Sequence, residues 1–178
     1  MQYICLLRGI SPMNAPATRL RAAFEALAFR RVQTVLSSGN VIFESDEASV
    51  ERLEAQIETQ LVAELGLKSI AIIRSAAQLA RLVESAPFGG QAHSRTSYLT
   101  VTFLKYSPAV PPEPFASAGG ITRVIGYNAE NQALCAINNP LVTRTPDFMS
   151  QLEKRFGRDI TTRTWNTIVK LHQRASQE

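Results

Sequence analysis

The chain has few of the residues from which metal centres and disulfide frameworks are built. Two histidines, His93 and His172, in 178 residues exclude a multi-histidine metal site. The two cysteines, Cys5 and Cys135, lie far apart, each in an apolar strand-like run. Such thiols read as small buried hydrophobes, not as a disulfide pair or a nucleophile. No stretch approaches the ~18 consecutive apolar residues of a membrane-spanning helix, and Arg8 interrupts the apolar run near the N-terminus. The expectation is a cytoplasmic protein with no membrane partner. Also absent are a G-x-x-x-x-G-K-[ST] phosphate loop, a G-x-G-x-x-G turn after a strand, a G-x-S-x-G elbow and an H-E-x-x-H helix. No cofactor or metal is therefore expected. A serine or cysteine nucleophile with His93 as base finds no support in the spacing.

What is present is ample apolar material, with 45% hydrophobic against 19% charged residues. A chain of this size can bury most of its apolar surface without a partner. The net charge of +4 is unevenly placed, with seven basic against four acidic residues from Thr143 to Glu178. That bias points weakly to an anionic partner.

Tyr3–Leu7 is a continuous apolar run bounded by Arg8 and Gly9, which suits a strand buried on both faces. Pro16 opens a helix whose stripe is Leu20, Ala23, Phe24 and Leu27. Val32–Leu36 and Val41–Phe43 form a hairpin about Ser37, Ser38, Gly39 and Asn40. Asp46 is the expected cap of a helix striped by Val50, Leu53, Ile57 and Leu61 and stopped by Gly66, and Ile70–Ile73 is a fourth strand. Strand, helix, strand, strand, helix, strand is the order of a ferredoxin-like split βαβ unit in an α+β protein. Its uncovered sheet face calls for the second half of the chain as cover. The expected division is 1–75 as this subdomain and 76–178 as a second α+β subdomain packed on it in one compact body.

In the second part Ser75–Gln78 matches a capping box before a helix carrying Leu79, Leu82 and Val83. Tyr98–Leu104 is a strong, central strand signal. Pro108–Gly120 reads as an irregular surface loop. Thr122–Tyr127 and Ala133–Ile137 form a second hairpin. One helix opens at Thr145 and Pro146 and ends at Gly157, and the last begins near Thr161 or Thr162 with Trp165, Ile168, Val169 and His172 on one face.

Two constellations stand out. Arg163, Thr167, Lys170 and Arg174 recur at helical spacing as a mostly cationic stripe able to follow phosphates, or simply a solvated outer face. Thr161–Thr164 at the expected helix start would offer donors to an anion, though ordinary capping accounts for the threonines. Arg8, Ser38 and Asn40 could line one groove, with turn chemistry as the plainer reading of the last two. In a ferredoxin-like unit Arg8 need not lie near the Ser38–Asn40 turn.

Three motifs, Leu6-Leu7-Arg8-Gly9-Ile10, Ser38-Gly39-Asn40-Val41-Ile42-Phe43 and Thr162-Arg163-Thr164-Trp165-Asn166-Thr167 with Lys170-Leu171, occur in the order of the bacterial family known as domain of unknown function 1697, which the chain resembles. The resemblance implies a pair of α+β subdomains and no assigned activity. The chain departs from the family pattern at Ser11-Pro12-Met13, where members carry a glycine-rich turn. It departs again at Thr164, where asparagine is usual, and at Thr145-Pro146-Asp147, where a Ser-Lys-Leu-like triplet is usual.

The leading functional expectation is non-enzymatic binding of an anionic ligand, a phosphorylated small molecule or nucleic acid, through Arg163, Lys170 and Arg174 with Arg8 in support. The exposed aromatic pair of an RNA-stacking sheet is not evident, which disfavours sequence-specific RNA reading. One alternative is an enzyme acting on a small anionic substrate in a groove between the halves, oriented by Ser38, Asn40 and Asn166. Another is a protein-interaction or oligomerising domain.

Overall fold

A computed structural model of the chain describes residues 1–117, 122–139 and 145–177, with side chains from 148 onward in the last segment. The readings of Gly119 and Gly120 as loop closers, and of Thr145 and Pro146 as a cap pair, lie outside the described residues and side chains. The protein is α+β, with two antiparallel sheets and five helices among the described residues. It divides into two units, Met1–Ala77 with Leu171–Glu178, and Gln78–Lys170.

The first unit contains the expected elements in the expected order. They are β1 (Gln2–Leu7), α1 (Ala17–Glu25), β2 (Arg30–Thr34), β3 (Asn40–Glu44), α2 (Val50–Leu65) and β4 (Ala71–Ser75). Lateral order is β2-β3-β1-β4, every pair antiparallel. Alternation sends Tyr3, Cys5, Leu7, Val41, Phe43, Ala71 and Ile73 into one core with Leu20 and Phe24 of α1 and Leu53, Ile57 and Leu61 of α2. Phe43 stacks on Phe29 at 4.4 Å between ring centroids and meets the edge of Phe24 at 5.6 Å. On the opposite sheet face Ile4, Leu6, Ile42 and Ile72 are at most 1% exposed, so β1 is buried on both faces, as its unbroken apolar run requires.

Helix α2 is capped by Ser49, whose hydroxyl accepts from the Arg52 N–H at 3.3 Å, and it ends on Gly66 in the left-handed conformation. Asp46 is not the cap. Its carboxylate takes both guanidinium nitrogens of Arg30 at 2.8 Å, and that pairing holds its pKa below the ordinary carboxylate value. The sheet edge at β4 is closed from α2. One helical turn apart, Glu54 and Glu58 accept the Ile73 and Ala71 N–H groups at 3.0 and 2.9 Å.

The second unit holds α3 (Ala76–Glu84), β5 (Tyr98–Leu104), β6 (Phe115–Ala116), β7 (Thr122–Asn128), β8 (Ala133–Asn138), α4 (Thr145–Phe156), β9 (Ile160–Thr164) and α5 (Trp165–Ala175), with α3 and α5 crossing the unit boundaries. Its sheet runs β6-β7-β8-β5-β9, which makes β5 interior as its composition predicts. Leu104, Val124, Leu134, Ala136 and Ile160 pack against Phe148 and Leu152 of α4. Two features differ from the sequence reading. The proline-rich stretch ends in the short strand β6, paired with β7 through Phe115↔Val124. Residues Ile160–Thr164 are a strand paired with β5, not the start of the last helix. Five β-extended residues, three of them threonine, favour the ladder on β5 over a helical turn, and Thr164 supplies the real cap of α5 by accepting the Thr167 N–H at 3.2 Å.

Glu54 is 4% exposed and serves a buried strand N–H. Glu54→Ala leaves that donor unpaired and is expected to lower unfolding stability by about 1–3 kcal/mol. Glu54→Gln, which keeps an acceptor oxygen, is expected to lose less; urea unfolding midpoints of the two variants check the ranking.

Candidate anion-binding site

The register of β1 on β3 decides where the first two motifs meet. Leu6 lies opposite Asn40, and the Leu7 N–H donates to the Gly39 carbonyl at 2.8 Å. Arg8-Gly9-Ile10 therefore leaves β1 directly beside the Ser38-Gly39-Asn40 turn, where the sequence alone did not require the two to be neighbours. Gly39 makes this approach possible. Its φ is +74°, and a Cβ placed on it would stand 2.7 Å from the Ile10 Cβ and 3.0 Å from the Leu7 Cβ.

Both segments are tied down through their backbones. The Arg8 N–H donates to the Ile70 carbonyl at 3.0 Å, and the Arg8 carbonyl accepts from the Ser69 hydroxyl at 2.7 Å. Asn14 folds the following loop back, giving its amide to the Gly9 carbonyl at 2.7 Å and accepting the Ser11 N–H at 2.8 Å. Across from it, the fully buried Asn40 gives its amide to the Val35 carbonyl at 2.9 Å and to the Ser38 hydroxyl oxygen at 3.0 Å. Asn40 thus shapes the turn, as the plainer reading of its sequence had it. Ser38 is exposed and Arg8 half-buried.

The third motif is differently built from its sequence reading. Arg163 sits on β9 opposite Val101, 9% exposed, and donates to the Thr161 hydroxyl at 2.8 Å and the Thr162 carbonyl at 2.9 Å. It is therefore not part of a helical stripe, and no helix N-terminus stands at Thr161. Thr167 is drawn into the cap, its hydroxyl 3.0 Å from that of Thr164. Of the expected binding residues, those exposed along α5 are Asn166, Lys170 and Arg174, one every four residues and so on one helical face. Arg8, Ser38, Asn40 and Arg174 belong to the first unit, and Arg163, Asn166 and Lys170 to the second.

Sequence reasoning passed over Arg74, which is 4% exposed on β4 opposite Ile4 and donates to the Ile73 carbonyl at 2.6 Å. A guanidinium directly after an isoleucine run was the signal for it, read only as the end of a strand. A separate open cleft of about 580 Å³ is lined by Arg21, Arg31, Val32, Gln33 and Thr34. Its two arginines already pair with Glu25 at 2.7 Å and Glu44 at 3.5 Å.

Among the described residues no group of three or more His, Cys, Asp or Glu side chains could hold a metal ion, and no helix is long and apolar enough to cross a membrane. Cys5 and Cys135 are buried and not joined in a disulfide, and burial pushes the Cys135 thiol up to about 12. A thiol of that kind stays protonated and unreactive at neutral pH. Folded protein is accordingly expected to resist a thiol reagent such as dithionitrobenzoate, and both cysteines to react once denaturant is added. Gly39→Ala is expected to cost about 1–3 kcal/mol through the left-handed backbone and overpacking against Ile10, measurable by thermal or urea unfolding.

No curated protein matches the chain. Among solved structures it is similar to a conserved bacterial protein from Streptococcus pneumoniae, at 15% identity and a TM-score of 0.63, with 98% of each chain covered. At that identity the likeness speaks for the fold alone. The family described as protein of unknown function (DUF1697) matches residues 1–119, a span that includes both β1 with its Arg8-Gly9-Ile10 exit and the Ser38-Gly39-Asn40 turn; the chain belongs to that family.

Proposed function

We propose that the chain binds a small phosphorylated ligand without transforming it, at the loop end of the first sheet where Arg8 and the Ser38 turn adjoin. The observation that carries this reading is the Leu7–Gly39 hydrogen bond of 2.8 Å with the close seating of Gly39 under Ile10. It brings a guanidinium-bearing exit loop and a serine-rich hairpin turn, Ser37 and Ser38, to one place on rigid backbone. A cation on a fixed Cα beside hydroxyl groups suits a phosphate, because charge-assisted bonds are the stronger ones and little ordering remains to be done on binding. Asn40 acts here by holding the turn.

A second reading has its own observation. Asn166, Lys170 and Arg174 form an exposed polar, cationic face on α5, a spacing that suits contact with a nucleic-acid backbone. On this reading affinity falls steeply with salt and is indifferent to sequence.

Isothermal titration with pyrophosphate and a nucleoside triphosphate, beside fluorescence anisotropy with a labelled single-stranded oligonucleotide, separates the two. The first reading expects Arg8→Ala to weaken phosphate-ligand binding about 10- to 100-fold, the loss of one hydrogen bond to a charged group, with Lys170→Ala and Arg174→Ala near wild type. The second expects the reverse ranking on the oligonucleotide. Wild-type affinity unchanged in Arg8→Ala, with the fold intact by circular dichroism, overturns the leading reading.

A further inference from the structure

The stretch between α3 and β5 is held to the second sheet at an unusual point. It is organised by its own turns, with the Gln91 N–H on the Phe88 carbonyl at 3.0 Å and the Ser94 N–H on the Ser97 carbonyl at 2.8 Å. Phe88 at its start is buried against the edge of Trp165, 5.2 Å between ring centroids, and among the described residues the part beyond it is hydrogen-bonded to the sheet through His93, whose Nδ1 accepts the Leu99 N–H at 3.2 Å.

The sheet explains why a side chain is needed there. Along β5 the N–H groups alternate between neighbours. That of Leu104 points to the β8 side, reaching the Gln132 carbonyl at 2.8 Å, and that of Lys105 to the β9 side, reaching the Asp159 carbonyl at 2.9 Å. By the same alternation the Leu99 N–H points toward β9. But β9 ends at Thr164, opposite Thr100, and turns into α5. The imidazole takes the place of the strand acceptor that β9 no longer supplies.

That role fixes the ring's chemistry. To accept at Nδ1 the imidazole must be neutral with its proton on Nε2. Nε2 is buried with no hydrogen-bond partner among the described residues. A second proton would put an N–H on Nδ1 facing the Leu99 N–H, donor against donor. We propose that His93 is an acid-sensitive latch, which in its neutral form pins the 89–97 segment to the end of β5 and on protonation releases it.

The surroundings favour the neutral form. The Tyr98 ring packs on His93 at 5.2 Å between centroids and is the titratable group of β5 that faces it. Burial lowers the His93 pKa below its ordinary value, and among the described residues no charged side chain, whether of its own segment or of a neighbouring strand or helix, adds a coulombic contribution. Because the folded-state value is lowered, the unfolded or released state takes up the proton first. The latch is complete above the ordinary histidine range and weakens as pH falls below it.

The test follows the Leu99 amide by hydrogen exchange, corrected for intrinsic rates, while the His93 ring is titrated by NMR in the same full-length sample. The wild type is expected to lose at least tenfold in Leu99 protection with the same midpoint as the ring. His93→Asn, whose Oδ1 can accept in place of Nδ1, is expected to keep protection across the range. His93→Ala is expected to lack it at every pH while strand amides in the middle of β5 stay protected. Leu99 protection that survives protonation of the ring, or that persists in His93→Ala, overturns the proposal.

Discussion

The contact between Gly39 and the Leu7–Ile10 segment governs the architecture of the first unit. A hairpin turn and the exit of a central strand occupy the same few cubic ångströms only because one residue of the turn has no side chain and adopts a positive φ. The Gly39 carbonyl closes the β1–β3 ladder on the Leu7 N–H, and the adjoining Asn40 amide closes the turn on Val35 and Ser38. Because side chains on a strand alternate, a slip of one residue in this register would send Tyr3, Cys5 and Leu7 out of the aromatic core and Ile4 and Leu6 into it. The same contact therefore fixes both the sorting of the core and the position of Arg8.

Edges are treated with similar economy. The outer N–H groups of β4 are answered by two carboxylates from α2. The strand β2 at the other edge is broken in register between Arg30 and Gln33, where Arg31 takes a φ of 48° and its neighbour is paired with Asp46. Bulges and paired charges are how sheet edges avoid recruiting another strand. In the second unit the unanswered N–H at the end of β5 meets an imidazole. These cases share one requirement, that a buried backbone donor have a partner, and each meets it with a different side chain. Only an imidazole has a proton affinity close enough to neutrality to make the answer conditional on pH.

Local order was largely legible from the residues, and long-range register was not. Apolar periodicity gave both amphipathic helices of the first unit, the two hairpins and the interior strand β5, because each is encoded within a dozen residues. The short strand β9 escaped it. Ile160-Thr161-Thr162-Arg163-Thr164 is short and abuts a helix, and threonine serves strands and helix caps alike, so only the presence of β5 alongside tells which. That one misplacement moved Arg163 from an exposed helical face to a buried strand position. The nearness of Arg8 to Ser38 escaped for a related reason, since it depends on how β1 pairs with β3 across more than thirty residues of chain.

The three motifs that mark the family are thus not uniform in what they do. Gly39 and Asn40 in the second motif, and Thr164 and Thr167 in the third, are engaged in shaping turns and a helix start, and their bonds would be made whether or not a ligand exists. The main chain of Arg8 is held in the same way, its N–H by Ile70 and its carbonyl by Ser69. The ligand proposed for this turn would therefore meet a side chain carried on backbone that the fold already holds in place. At the mouth of a serine-rich turn, an anion is the partner that a guanidinium recognises best.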